Sequence, residues 1–377
     1  MNSVVQFIKK DIVLCISVLL AAITSIFAKP SFEMLVNAVD WRVIFLLFSL
    51  MLVIQAFRYI NVLDIIASFF VVKCNSLRKL YFALILLVFF SSMIVTNDVA
   101  LLTFVPITIL IFKRINLSCV NIIILETIAA NLGSSVTPMG NPQNLFLFSY
   151  YEFSSLDFIL MSVKLGIISL ILLVPTICIF TKSKGLIVVS SENNNREKFS
   201  VKLTLLYLFV LIMVLLSVFR IIDYRVSFVL SFVIIGIVNF RLLAKVDYAL
   251  LITFIAFFIF TNNISSNQSI SSFFSSILKN ENSVFFSGVG LSQIISNVPA
   301  SLLLSTFTDE AVSLFYGVNI GGLGTLIASL ASVISYKIYK NEIVVQDESS
   351  NDKFILKFSV LNLIYLFILI LVFFFIK

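Results

Sequence analysis

Apolar runs of membrane-spanning length recur along this chain, near residues 12–28, 41–57, 158–181, 201–219, 226–242, 248–262 and 354–376. A helix needs about 20 apolar residues to cross the hydrocarbon of a bilayer, fewer where protein surrounds it. The composition agrees. Of 377 residues, 60% are apolar, 12% are charged and 40 are Phe, whereas a soluble domain carries roughly a quarter charged residues. The excess apolar surface has to face lipid. Lys9, Lys10 and Asp11 precede the first run, which lacks a small-residue cleavage site, so 12–28 reads as a span and not as a removable leader.

Four further segments are apolar but interrupted. Residues 78–112 and 278–308 carry a polar break at their centres and read as re-entrant hairpins, which enter, turn and leave on one side. Residues 117–152 and 311–340 are long but broken by Gly, Pro and Asn. Residues 60–75, short and carrying Asp64 and Lys73, read as a helix at the interface. With nine crossings and two hairpins, 19 of the 26 Lys and Arg fall on one side. Seven fall on the other: Lys29, Arg42, Lys164, Arg220, Arg225, Lys279 and Lys377. The positive-inside rule then predicts a cytoplasmic N-terminus in an inner membrane. The net charge of +7 is thus explained by topology, with no nucleic-acid partner needed.

The two halves resemble each other. Ala38-Val39-Asp40-Trp41 opens one span and Lys245-Val246-Asp247-Tyr248 another. Asn97 and Asn297 sit in the two hairpin breaks, 200 residues apart. Asn131-Leu132-Gly133 matches Asn319-Ile320-Gly321, and Thr137 matches Thr325, both at 188. Five crossings separate each span from its partner, so the second copy is upside down. The expected fold is an all-α polytopic membrane protein with two inverted-topology repeats, two re-entrant hairpins and two broken transmembrane helices. Inverted repeats suit transporters, because exchanging the conformations of two similar halves exchanges inward- and outward-facing states.

Chemistry is narrowed by what is missing. There is no His, and the four cysteines (15, 74, 119, 178) share no metal or redox spacing. What remains is a set of polar breaks at membrane depth, where non-helical backbone is tolerated only around a cavity or inside protein. Thr96, Asn97, Ser296 and Asn297 are favoured N-cap types. Half-helix N-termini attract anions, while unwound carbonyls with Asn, Ser and Thr oxygens suit a hard cation such as Na⁺. Asp98 is the sharpest residue, since an intramembrane carboxylate is expensive and usually functional. It can ligate Na⁺ or carry a proton. Glu126 either faces the same cavity or partners a basic residue.

Three stretches then match a known family: Thr96-Asn97-Asp98-Val99-Ala100, the run from Asn131 through Thr137-Pro138-Met139-Gly140-Asn141-Pro142-Gln143 to Asn144, and Ser296-Asn297-Val298-Pro299-Ala300. They resemble the ion transporter superfamily, in particular its citrate-transporter-like and arsenite-permease-like branches, which also include the divalent anion:sodium symporters. The resemblance implies hairpins opening from opposite sides, a moving transport domain, a homodimeric scaffold and elevator-type alternating access. It implies scaffold helices over 1–75, transport elements over 76–156, a linker and scaffold over 157–262, transport elements over 263–340 and a C-terminal scaffold helix over 341–377. One cation site would draw on Thr96, Asn97 and the loop from Gly133 to Thr137, and a second on Ser296, Asn297 and the loop from Gly321 to Thr325. Na⁺ is expected near Asn97, Asp98 and Asn297. Substrate would lie between the tips, near Thr96, Asn97, Asn144, Ser296, Asn297 and Val298.

The family's dicarboxylate symporters typically read Ser-Asn-Thr at their tips. Here Val298 removes a hydroxyl and Asp98 adds a carboxylate, which weighs against di- and tricarboxylates. The leading expectation is a secondary transporter for a small anion or oxyanion, coupled to Na⁺ or H⁺ and needing no other cofactor. A Na⁺/H⁺ antiporter is the alternative. An intramembrane enzyme is remote, because no catalytic constellation is legible.

Overall fold

The computed structural model describes residues 12–181, 200–344 and 349–376. The basic residues Lys9 and Lys10 and the polar linker at 190–198 lie outside them. The described chain is all-α, without a strand. Among the described residues, seven helices are long and apolar enough to cross a membrane, and shorter apolar helices accompany them. The chain is a multi-pass membrane protein.

The first half runs α1 (Ile12–Ala28), α2 (Phe32–Ala38), α3 (Trp41–Tyr59), α4 (Val62–Val72), α5 (Leu77–Val95), α6 (Asn97–Arg114), α7 (Val120–Ser134) and α8 (Pro142–Tyr150). A long helix, α9 (Ser155–Phe180), and α10 (Val201–Val218) lead to the second half. That half runs α11 (Tyr224–Asn239), α12 (Tyr248–Ser265), α13 (Gln268–Ile277), α14 (Glu281–Ile295), α15 (Asn297–Ser305), α16 (Ala311–Gly321) and α17 (Leu330–Tyr339). The chain closes with α18 (Ser349–Ile376).

The repeat seen in the sequence is a repeat of structure. Asp40 starts α3 by accepting a hydrogen bond from the Val43 amide at 3.1 Å, and Asp247 starts α12 by accepting from Leu250 at 3.0 Å. Each side chain satisfies an amide that the helix leaves unpaired. In each half the two hairpin arms pack on the first part of the broken helix that follows: α5 and α6 on α7, α14 and α15 on α16. The halves are also interlocked. α1 packs on α12 of the other half, and α11 packs on α3. Phenylalanines fill that second seam, with the rings of Phe45 and Phe228 4.5 Å apart.

The hairpins open from opposite faces. At the base of the first, Arg78 donates to the Thr181 carbonyl at 3.5 Å. At the base of the second, the Thr308 carbonyl accepts from the Tyr151 hydroxyl at 2.8 Å. Between Tyr151 and Thr181 lies α9, whose 26 residues rise roughly 39 Å at 1.5 Å each, enough to cross the bilayer. The first hairpin is the deeper, with arms of 19 and 18 residues against 15 and 9. The segment read as interfacial contains α4, which exposes Phe69 and Phe70 and ends with the Lys73 ammonium 3.8 Å above the Phe69 ring.

Candidate functional site

The two broken helices cross, and the crossing is reciprocal. α7 ends at Ser134, and after an unwound loop α8 restarts from Asn141, which caps the Asn144 amide at 2.9 Å ahead of Pro142. α16 ends at Gly321, and α17 restarts after Ser329. Asn131, near the end of α7, accepts from Ser329 Oγ at 2.9 Å and donates to Ser332 Oγ at 3.4 Å. Asn319, near the end of α16, accepts from Asn141 Nδ2 at 3.2 Å and donates to Asn144 Oδ1 at 2.8 Å. Residues 131, 141 and 144 become 319, 329 and 332 at one offset of 188. That is the bonding a two-fold relation between the halves requires. All six side chains are buried, where polar atoms without partners are costly.

The hairpin tips dock beside this crossing. The Asn97 amide donates to the Gly140 carbonyl at 3.1 Å, and Asn97 Nδ2 donates to Asn131 Oδ1 at 3.1 Å. Thr137 Oγ1 donates to the Met93 carbonyl and Thr325 Oγ1 to the Gln293 carbonyl, the same bond in both halves. Gly133 lets α7 touch Phe89 and Ser92 of α5, and Gly321 lets α16 touch Val289 and Ser292 of α14. The capping expected of the tips is not what they do. Neither Thr96 nor Ser296 uses its side chain as a cap. Asn97 Oδ1 accepts from the Asp98 amide instead, at 3.0 Å. Ser296 Oγ reaches the Ala328 carbonyl at 3.4 Å. Both tips turn too sharply, at positive φ, for a side chain at that position to fold back over the new helix.

A cavity of about 110 Å³ lies where the first tip meets α3 and the start of α12. Its polar lining is Gln55, Thr96, Asp98, Asn141 and Asp247, and its walls include Met51 and Met139. Two carboxylates face it, and among the described residues no Lys or Arg does. Of the residues singled out in sequence, Thr96 and Asp98 reach this cavity, as does Asn141 of the family-matching stretch. Asn97, Asn144 and Gly133 are buried around the crossing, with Thr137 half-buried beside them. Ser296, Asn297, Val298, Gly321 and Thr325 belong to the second tip and its loop, outside the cavity lining. Glu126 is fully buried in α7. Its Oε1 accepts from Thr108 Oγ1 at 2.5 Å, and Oε2 has no hydrogen-bond partner among the described residues. Sequence reasoning missed Gln55 and the cavity role of Asp247, although it had marked Asp247 as the start of a repeat.

The unwound carbonyls have side-chain partners. Asn144 Nδ2 donates to the carbonyls of Ser134, Ser135 and Thr137 at 3.3, 3.1 and 3.2 Å. Gln293 Nε2 donates to those of Gly321 and Leu323 at 2.7 and 2.9 Å.

Comparison with known proteins bears on what this architecture serves. A protein-family model described as citrate transporter matches residues 4–313, a stretch that takes in both hairpin tips and ends inside α16. The chain belongs to the citrate transporter family. Two relatives cover most of the chain. An uncharacterized transporter of Methanocaldococcus jannaschii is 35% identical over 312 residues, covering 82% of this chain and 84% of the relative. The inner membrane protein YbiR of Escherichia coli is 29% identical over 303 residues, 80% of each. As a member of the citrate transporter family, the chain is a membrane transporter.

Proposed function

We propose that this transporter moves a small anion or oxyanion across the inner membrane by elevator-type alternating access, coupled to Na⁺ or H⁺. The observation that carries the proposal is the reciprocal crossing of the two broken helices, each bonded to the restart of the other through Asn131 and Asn319. Two interlocked copies of one unit can exchange conformations, and the exchange swaps the face to which the site opens. The cavity supports the same reading, because it lies between a hairpin tip and the two helices, α3 and α12, that the family resemblance assigns to the scaffold. A slide of the hairpins and broken helices against that scaffold would carry Thr96 and Asp98 across the membrane.

In this mechanism Asp98 is the coupling carboxylate. A cation or proton bound there offsets its charge, and an anion then approaches the tips without repulsion. Thr96, Asn97, Ser296 and Asn297 position the tips around the solute. The working unit is a homodimer with its N-terminus in the cytoplasm, as the uneven distribution of Lys and Arg supports. An inner-membrane location is in keeping with the name of the E. coli relative. Uptake of radiolabelled small carboxylates and oxyanions into proteoliposomes tests the proposal. Uptake should require an inward Na⁺ or H⁺ gradient and be lost in Asp98→Asn. Uptake indifferent to both cations and to that substitution would refute it.

One observation favours a second reading, Na⁺/H⁺ antiport with no organic solute. Asp98 and Asp247 face one cavity without a basic residue, an arrangement that attracts cations and not anions. A pulse of Na⁺ outside vesicles holding a pH-sensitive dye, with no solute anion present, separates the two. Dye dequenching supports antiport, and silence excludes it.

A further inference from the structure

The carboxamide of Gln293 lies inside the second unwound loop. Its Nε2 is within hydrogen-bonding distance of three carbonyl oxygens, those of Val289, Gly321 and Leu323, at 3.3, 2.7 and 2.9 Å. Its Oε1 accepts from the Thr325 amide at 2.9 Å. The orientation of the amide is fixed by these partners. Turned over, it would set oxygen against three oxygens and N–H against N–H.

The loop is also shaped around this group. Gly324 has φ +104°, a conformation that L side chains rarely adopt, and a Cβ there would lie 2.4 Å from Gln293 Oε1. The backbone passes so close to the amide that only glycine fits. Thr325 Oγ1 returns to the Gln293 carbonyl at 3.2 Å and ties the far end of the loop to the same residue.

Converging backbone carbonyls in an unwound transmembrane helix are what a hard cation takes as ligands. Here a neutral N–H₂, with two polar hydrogens, already takes two of them at short range. A Na⁺ ion bound to Gly321 and Leu323 oxygens would have to evict it and leave Thr325 without its acceptor. The family resemblance leads one to expect a cation in this loop, and these residues do not fit one.

We infer that the Gln293 carboxamide stands in for a cation in the second unwound loop, so that this half holds its closed geometry without Na⁺. The residue 200 positions earlier is Met93, whose side chain has no N–H to donate. There the loop carbonyls are served by Asn144, from the half-helix that follows. The two halves thus fill equivalent loops with amides from different elements. If the proposed function holds, the coupling cation is left with the cavity at Asp98.

Thermal unfolding of the purified full-length protein in Na⁺, K⁺ or choline chloride at equal ionic strength tests the inference. A ligand of the native state raises its apparent stability. The background is Asp98→Asn, so that a Na⁺ response from the cavity is not counted. In that background the midpoint should be the same in Na⁺ and choline. Adding Gln293→Ala, or the near-isosteric Gln293→Glu, should lower the midpoint in choline and K⁺, and Na⁺ should recover part of the loss. If alanine prevents folding, the glutamate variant carries the test alone. The inference is overturned if the background is already stabilised by Na⁺ and loses that response on Gln293→Ala, which would make Gln293 a cation ligand. It is equally overturned if both variants lose stability alike in all three salts. The readout is binding and not transport, so it stands or falls apart from the proposed function.

Discussion

Thr96 and Ser296, 200 residues apart, hold the same backbone conformation: φ 70° and ψ 151° in one, φ 76° and ψ 154° in the other. This region of backbone space is essentially reserved for glycine and costs other residues of order 1–3 kcal/mol. Each residue joins the two arms of a hairpin. Two halves with different sequences keep the same costly turn at the same place, which marks the tip geometry as a requirement of the fold.

Replacing either residue by glycine should release that strain. The gain of about 1–3 kcal/mol equals or exceeds the roughly 0.5–1 kcal/mol that glycine costs through the entropy of the unfolded chain. Thr96→Gly and Ser296→Gly are each expected to match or exceed the wild-type midpoint in thermal unfolding. A marked drop in either would show that the turn is relaxed.

The close approach of hairpin arm to broken helix depends on glycine. A Cβ on Gly133 would lie 2.2 Å from the Phe89 carbonyl oxygen and 2.5 Å from Ser92 Oγ. On Gly321 the nearest atoms, in Ser292 and Val289, are at 2.9 Å. Backbone cannot step aside as a side chain can, and overpacking costs about 1–3 kcal/mol or more. Gly133→Ala should therefore destabilise more than Gly321→Ala, as read by the melting midpoint or the yield of folded protein. Equal, small effects would contradict the packing described.

The crossing can be measured by a double-mutant cycle. Asn319 Nδ2 and Asn144 Oδ1 are 2.8 Å apart. Asn319→Ala and Asn144→Ala should each destabilise, with a favourable coupling of about 1 kcal/mol, within the range of interhelical hydrogen bonds in membranes. Strict additivity would mean that the two side chains do not interact.

Asp247 does two things that one substitution separates. Its Oδ1 caps α12, and its carboxylate faces the cavity. Asn caps as well as Asp does, so Asp247→Asn should leave stability within about 0.5 kcal/mol, in keeping with a substitution that breaks no packing or hydrogen bond. It should raise the half-saturating concentration of the coupling cation several-fold in a transport assay. Unchanged cation dependence would remove Asp247 from the site.

Much of this architecture was legible in the sequence because lipid makes polar residues conspicuous. Asn97, Asn297, Asn131 and Asn319 stand out against apolar surroundings, and their constant offsets carry the repeat. The partners of those residues were harder to see. Ser329, Ser332 and Gln293 sit in or beside helices as ordinary polar residues, and nothing local says which carbonyl or amide they will meet. Asp247 was visible as the start of a span, but only packing sets it across a cavity from Asp98. The tips read as N-caps on residue type, and the positive φ that prevents capping has no residue-type signature at a Thr or a Ser.

Under elevator-type access, one cavity, carried by the first hairpin tip, opens to each side of the membrane in turn. Val99 lines that cavity. With Cys15, Cys74, Cys119 and Cys178 replaced, Val99→Cys can be labelled with a membrane-impermeant thiol reagent applied from one face at a time, under opposed cation gradients. Labelling is expected from either face, with the reactive face switching as the gradient is reversed. Labelling from one face under every gradient, or from both at once, would contradict it.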